Sequence, residues 1–209
     1  MKKIFLKIGL PVALLVVATF IIGPGCGSSV PTPVVTTPPC PTTNTLFQQV
    51  FAATAAAHPT FQDNVTMDLL THEYTFNVNT NKTICSIGYQ GNAALFTSNL
   101  PYTIEIVDTA TNAVIYTGNH LFNSTATSYV SITPVNLIAN QSYTIRRTLP
   151  PGGFGGNIGN TVGRILSFTA ASGGFPASIG GFTITSSNFY GTGGPAVNFG
   201  IPYIDIVFQ

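Results

Sequence analysis

The residue types that most often carry enzyme chemistry are few in this chain and stand far apart. The three histidines are His58, His72 and His120, and none belongs to an HExxH or His-x-His pattern that would present two ligands to zinc. No Gly-x-Ser-x-Gly motif marks a nucleophilic serine, and the Gly-rich stretch after residue 150 lacks the Gly-Lys-Ser/Thr of a phosphate-binding loop. We therefore predict no catalytic residues, no metal ligands and no cofactor. Calcium held by one or two acids and backbone carbonyls would leave no such signature.

Aromatic and amide side chains are better represented, and they suit binding. An aromatic ring packs on the C–H face of a sugar, and amides match its hydroxyl groups. Residues 151–200 hold 14 of the 21 glycines, and aromatic side chains in or beside these segments are better placed for exposure than those inside strands. The predicted ligand-binding residues are Phe154, Phe189, Tyr190 and Phe199, with Asn157 and Asn188. The alternative is that these segments are only flexible connections.

The N-terminus has the three parts of a bacterial export signal. Lys2, Lys3 and Lys7 precede an apolar run over residues 8–22, and Gly23-Pro24-Gly25 then leads to Cys26. The run has 15 residues, fewer than the roughly 20 that a membrane-spanning helix needs. Small residues before a cysteine are typical of lipoprotein signals, so we predict lipidation at Cys26. Plain secretory cleavage and an uncleaved anchor are the alternatives.

If Cys26 carries the lipid, two cysteines remain, Cys40 and Cys85. In an oxidising compartment such a pair can form a disulfide, which would join the end of the spacer to a strand. The alternative is two independent thiols, with Cys85 buried in the sheet.

Low charge is the main compositional feature of the chain. Charged residues make up 6% of it, against roughly 25% in an average domain, while Thr, Asn and Ser are abundant. After a cut before Cys26, four basic and six acidic residues remain, a net charge of −2. Because phosphate binding needs clustered positive charge, nucleic acid is excluded as a partner.

The organisation along the chain follows from proline content and from hydrophobic period. Pro31, Pro33, Pro38, Pro39 and Pro41 predict an extended spacer. The predicted units are a signal peptide at 1–25, the lipidated cysteine and Pro/Thr-rich spacer at 26–45, and a folded domain at 46–209. Residues 46–57 fit either a helix or a first strand. Strands are predicted near 73–78, 84–89, 102–106, 113–116, 129–133, 142–147, 162–168, 182–186 and 203–208. The fold class predicted is all-β, a single antiparallel β-sandwich that is jelly-roll-like.

The closing strand, Tyr203-Ile204-Asp205-Ile206-Val207-Phe208, carries apolar residues on both faces. This pattern predicts a central strand rather than an edge. Asp205 would then be buried and need partners, from backbone amides or from Arg146, Arg147 or Arg164.

The strand blocks at 73–78, 84–89, 102–108, 129–132 and 142–145, together with this closing strand, resemble a bacterial extracellular β-sandwich domain of unknown function. Members of that family often sit beside cadherin-like or immunoglobulin-like modules in surface proteins, and the resemblance covers about residues 60–209. It implies a surface-protein module and transfers no catalytic residues. The Gly-rich insert after residue 150 departs from the family pattern.

Together these features predict a non-enzymatic cell-envelope protein, lipid-anchored at the outer membrane or cell surface. Its predicted partners are the membrane, through the lipid, and a neutral glycan or a surface protein. The alternative is a structural subunit of a surface assembly, which would use exposed strand edges to contact its neighbours.

Overall fold

The computed structural model describes residues 39–65, 69–151, 163–191 and 194–209. Over these residues the chain is an antiparallel β-sandwich, which confirms the predicted fold class. The helices are α1 (Leu46–Ala57) and α2 (Ala93–Thr97), with a 3-10 turn at Ala170–Ser172. The strands are β1 (Gln62–Val65), β2 (Thr71–Val78), β3 (Lys82–Tyr89), β4 (Tyr102–Asp108), β5 (Ala113–His120), β6 (Ser128–Leu137), β7 (Ser142–Thr148), β8 (Arg164–Ser167), β9 (Ala177–Ile179), β10 (Phe182–Gly191), β11 (Gly194–Val197), β12 (Gly200–Pro202) and β13 (Asp205–Phe208). The predicted signal peptide, Cys26 and the first part of the spacer lie outside the described residues.

One large sheet and two small ones build the sandwich. The large sheet has the order β11-β10-β2-β7-β4-β5, and β9 also pairs with β10. The small sheets have the orders β1-β8-β12 and β13-β3-β6. All pairings are antiparallel, and the inward side chains of the three sheets form one apolar core.

Strand β2 shows why the sequence forms this sheet. Tyr74, Phe76 and Val78 are fully buried, while Thr75 and Asn77 between them are half-buried on the opposite face. A strand alternates its side chains between faces, so one apolar set enters the core and one polar set remains outside. Burying each large apolar side chain contributes about 1.5–3 kcal/mol.

The ambiguous segment 46–57 is helix α1. Thr45 caps it: its hydroxyl accepts from the Gln48 amide N–H at 3.0 Å, and the Gln48 side chain accepts from the Thr45 N–H at 3.3 Å. Such a capping box satisfies two amides that a helix start would leave free. Phe47, Val50 and Phe51 follow helical spacing and are buried against the sandwich. The tertiary contacts of this face therefore decide between helix and strand.

The prediction that the closing strand is central was wrong. Strand β13 lies at the end of its sheet and pairs with β3 alone among the described strands. Helix α1 packs against β13, and the Phe47 ring lies 5.1 Å from that of Tyr203, just before the strand. A helix that covers an edge strand buries that strand as a neighbouring strand would. The two apolar faces of β13 therefore do not reveal its position in the sheet.

Asp205 is buried as predicted, but its partners are not arginines. Thr45 Oγ1 donates to Oδ1 at 2.8 Å, and the Tyr129 hydroxyl and Gln48 Nε2 donate to Oδ2 at 2.8 and 2.9 Å. Burial raises the pKa of Asp205, and these hydrogen bonds oppose that rise. The carboxyl group thus ties the N-terminus of α1 to the last strand.

The reach of Tyr129 to Asp205 depends on Gly88. Tyr129 on β6, Gly88 on β3 and Asp205 on β13 are direct cross-strand neighbours in one row. A Cβ atom at Gly88 would lie within 3 Å of Tyr129 ring atoms, 2.8 Å from Cδ1 and 2.9 Å from Cζ. The glycine leaves room for the ring to lie across β3.

A disulfide joins Cys40 to Cys85 on β3, with Cα atoms 6.0 Å apart. The sequence assigned residues up to 45 to the spacer. In the structure the chain is held to the sandwich from Cys40 onward, by this bond and then by Thr45.

Within the described ranges, neither helix is long and apolar enough to cross a membrane.

Candidate binding face

The outward face of the large sheet carries mostly polar side chains, and we call it the polar face. Thr71, Glu73 and Thr144 on it are buried. The registers of β10, β2, β7, β4 and β5 align its side chains in rows that cross all five strands. The first row is Tyr190, Thr71, Thr148, Thr103 and Asn119; the second is Asn188, Glu73, Arg146, Glu105 and Thr117; the third is Ser186, Thr75 and Thr144, beyond which lie Val107 and Val114. With neighbouring strands ~4.8 Å apart, each full row spans about 19 Å.

Hydroxyl and amide groups of the polar face are paired across the strands. The Thr71 and Thr148 hydroxyls are 3.3 Å apart, and those of Thr75 and Thr144 are 3.0 Å apart. Such cross-strand pairs stabilise a sheet by roughly 0.2–1 kcal/mol each. Each hydroxyl keeps further hydrogen-bonding capacity, because a hydroxyl donates once and accepts twice.

The Glu73 carboxylate organises the centre of the face. Its Oε1 accepts from Asn188 Nδ2 and from the Tyr190 hydroxyl, each at 3.1 Å, and its Oε2 accepts from Arg146 Nε at 2.7 Å. Arg146 Nη1 also lies 3.5 Å from Glu105 Oε2. Two carboxylates and one guanidinium give this group a net charge of −1.

The ionisation of these groups follows from their contacts. Partial burial lowers the pKa of Arg146, but the hydrogen bond and charge of Glu73, with those of Glu105, outweigh burial and raise it overall. Partial burial, followed by the Glu73 charge, raises the pKa of Tyr190. Both groups keep their protons at neutral pH, so Arg146 and Tyr190 are hydrogen-bond donors there.

An open depression of about 440 Å³ lies on the polar face. Thr71, Thr148 and Tyr190 of the first row and Arg146 and Glu105 of the second row line it. It offers a half-exposed aromatic ring beside hydroxyl, guanidinium and carboxylate groups, a combination that fits a sugar ring and its hydroxyls.

Two of the predicted ligand-binding residues, Asn188 and Tyr190, lie on this face. The expected exposure of Phe189 was wrong: it is 2% exposed, and its ring meets that of His72 at 4.9 Å. Strand β10 continues to Gly191, and side chains alternate between the two faces of a strand. Phe189 therefore lies on the opposite face from Asn188 and Tyr190. Phe154 and Asn157 lie outside the described residues.

Phe199 is 49% exposed but belongs to a different place. It lines an apolar groove of about 280 Å³ together with Val65, Leu69, Ile165 and Ala196. Phe189 lines the same groove, so the structure brings Phe199 together with Phe189 and not with Tyr190.

Most of the polar face was not predicted from the sequence, because recognition residues were expected in loops. Thr103 and Glu105 alternate with core residues in the burial of β4, whereas Thr71 and Glu73 alternate with core residues along β2 but are themselves buried. A signal was present in the sequence: these strands place Thr, Glu and Asn at every second position. What the sequence lacks is the strand order that makes separate polar sets adjacent.

A second polar group lies under the sheet, and it is buried. Arg147 is 0% exposed, donates from Nη1 to the Leu69 carbonyl at 3.1 Å, and places its guanidinium 5.5 Å from the Tyr89 ring centre and 5.8 Å from that of Tyr102. His72 is buried nearby, and desolvation, followed by the Arg147 charge, holds its pKa well below the ordinary histidine value. His72 is thus neutral in the folded protein at neutral pH.

Among the described residues, no group of three or more His, Cys, Asp or Glu side chains could hold a metal ion. Comparison with known protein families and with curated proteins finds no match for this chain.

Proposed function

We propose that this protein is a binding module of the cell envelope whose polar face takes a neutral glycan and performs no chemistry on it. The observation that carries the proposal is the composition of that face: hydroxyls, amides and one tyrosine around the Glu73, Arg146 and Glu105 group, arranged in rows across five strands. Such groups recognise sugar hydroxyls and ring faces.

Charge supports a neutral ligand over an anionic one. Glu73, Arg146 and Glu105 leave one net negative charge at the centre of the face. A polyanion such as a sulfated or phosphorylated polymer would meet this charge without a compensating basic cluster on the polar face.

The hydrogen bonds of Glu73 support binding without catalysis. Both of its oxygens accept from fixed donors, with Arg146 at 2.7 Å and with Tyr190 and Asn188 at 3.1 Å. A carboxylate held in this way orients its neighbours and is poorly suited to take a proton from a ligand.

Envelope attachment is part of the same proposal. Its support is the sequence: three lysines, a 15-residue apolar run, and small residues directly before Cys26. A lipid at Cys26, followed by the Pro/Thr spacer, would hold the sandwich at a distance from the membrane.

The test is binding of the full-length protein in mild detergent to a panel of neutral and anionic glycans and cell-wall polymers. Tyr190→Ala should weaken binding by roughly 1–2 kcal/mol in protein that is still fully folded at the assay temperature, and the affinity should vary little with salt. Phe199→Ala is the matched control, because it removes an exposed ring away from the polar face. Steep salt dependence, turnover of a glycan or no binding across the panel would contradict the proposal. A loss in Phe199→Ala with none in Tyr190→Ala would move the site to the apolar groove.

A structural subunit of a surface assembly is the second candidate. It is favoured by β5, which leaves an uncharged strand at the edge of the large sheet.

A further inference from the structure

Strand β5 ends the large sheet and is the least protected strand edge in the part of the chain that the structure describes. It is eight residues long and pairs there with β4 alone. Its sequence, AVIYTGNH, holds no proline and no Lys, Arg, Asp or Glu. A free strand of this kind presents unpaired N–H and C=O groups that can continue the sheet into another chain.

The other exposed edges carry the features that proteins use to prevent such pairing. Strand β11 at the opposite end of the same sheet contains Pro195. Strand β1 has four residues, and its Asp63 forms an ion pair with Arg164. Strand β6 is interrupted by Pro134. Proline, shortness and charge each disfavour edge-to-edge pairing, and β5 has none of them.

The exposed side chains of β5 point to the same conclusion. Val114 is 50% exposed and Ile115 is also exposed. The inward side is already closed, because the Tyr116 hydroxyl and His120 Nε2 are 2.6 Å apart over Gly118 and cover the core. Ile115 lines a depression with Pro134, Val135 and Asn136 of β6, so β5 leaves free its backbone edge and the Val114 side chain.

We propose that β5 pairs antiparallel with β5 of a second copy of this chain, so that the large sheets of two molecules become one. A strand is complementary to itself in this arrangement, since a two-fold axis makes each donor of one copy face the equivalent acceptor of the other. A second copy also brings an equally long strand without charge, so no ionised group is placed beside Val114 and Ile115. A charged partner strand would lose hydration there.

The two-fold axis has a direct consequence for the polar face. Antiparallel strands in one sheet are related by an axis perpendicular to the sheet, so the outward faces of both copies lie on the same side. The rows that end at Thr117 and Asn119 in one molecule then continue into the second. A dimer would present two polar faces side by side, and the pairing itself does not depend on what those faces bind.

The test compares two valines at opposite edges of the same sheet. Val114 on β5 and Val197 on β11 are 50% and 53% exposed, so Val114→Lys and Val197→Lys add the same charge at similar exposure. Full-length protein in mild detergent is examined by sedimentation over a concentration series up to about 100 µM, a range that detects micromolar association. We expect a dimer for the wild type and for Val197→Lys, and at least a tenfold higher dissociation constant for Val114→Lys.

Hydrogen exchange then locates the interface. In the wild type the amides of residues 113–120 should exchange more slowly as the concentration rises, and in Val114→Lys their exchange should not depend on concentration. A wild type that stays monomeric at about 100 µM overturns the proposal. Equal dissociation constants for Val114→Lys and Val197→Lys would also overturn it. A dimer in which the β5 amides exchange as they do in the monomer would do the same.

Discussion

The Tyr129 hydroxyl donates a hydrogen bond of 2.8 Å to Asp205, which lies on the other side of strand β3. The Tyr129 ring crosses β3 at Gly88, the residue directly between them. The same carboxylate accepts from Thr45 and Gln48 at the start of α1. The first helix and the last strand of the domain are thus joined through one buried acid.

Gly88→Ala is expected to destabilise the domain by about 2–3 kcal/mol, because the added methyl group displaces the Tyr129 ring and leaves Asp205 with one donor fewer. Urea unfolding measures this. In a Tyr129→Ala background the same substitution should cost much less, since no ring remains to be displaced. Equal costs in the two backgrounds would show that the ring is not the reason for the glycine.

Removing the disulfide should lower stability, because Cys40 and Cys85 are 45 residues apart and their bond restricts the unfolded chain. Loop-closure entropy gives an upper value of about 4 kcal/mol. Thermal unfolding with and without reductant should show the loss in the wild type. The variant with both cysteines replaced by serine should melt at the same temperature in both conditions, and a wild type insensitive to reductant would contradict the prediction.

His72 should make the protein less stable in acid. Burial and the Arg147 charge hold its pKa below the unfolded value, so the unfolded chain takes up a proton before the folded one does. The contribution of His72 to the free energy of unfolding is fully present above the ordinary histidine pKa. It is lost as pH falls through the pKa of His72 in the folded protein. Urea unfolding between about pH 7.5 and 5 should show stability falling by up to about 1.4 kcal/mol per pH unit from this group.

His72→Phe is the comparison variant for this pH dependence. It should reduce the slope while leaving part of it, because burial also lowers the pKa of His120 and gives a contribution of the same sign. Identical slopes in the two proteins would assign the acid sensitivity to groups other than His72.

Cys26→Ala should abolish fatty-acid labelling and move the protein from the membrane to the soluble fraction. The expectation follows from the lysine-rich start, the apolar run and the small residues before Cys26. Cys40→Ser serves as the control for loss of a cysteine as such and should keep its label. Labelling that survives in Cys26→Ala would refute lipidation at this residue.

Local patterns in the sequence determined the strand content. The alternation of Tyr74, Phe76 and Val78 with polar residues identifies β2 without any knowledge of its neighbours, because a strand has a period of two wherever it lies in a sheet. The same reasoning predicted a buried Asp205. These conclusions depend on one element at a time.

Tertiary structure alone decided where each element lies and what it meets. Nothing in the alternation of β2, β4, β7 and β10 reveals that these strands lie side by side, so the rows of the polar face could not be derived from it. Phe189 looked exposed beside glycines, yet the length of β10 placed it in the core. Strand β13 looked central because α1 covers its edge. Strand order and helix docking arise from contacts between residues distant in sequence, such as Thr45 and Asp205, and a local hydrophobic pattern carries no record of them.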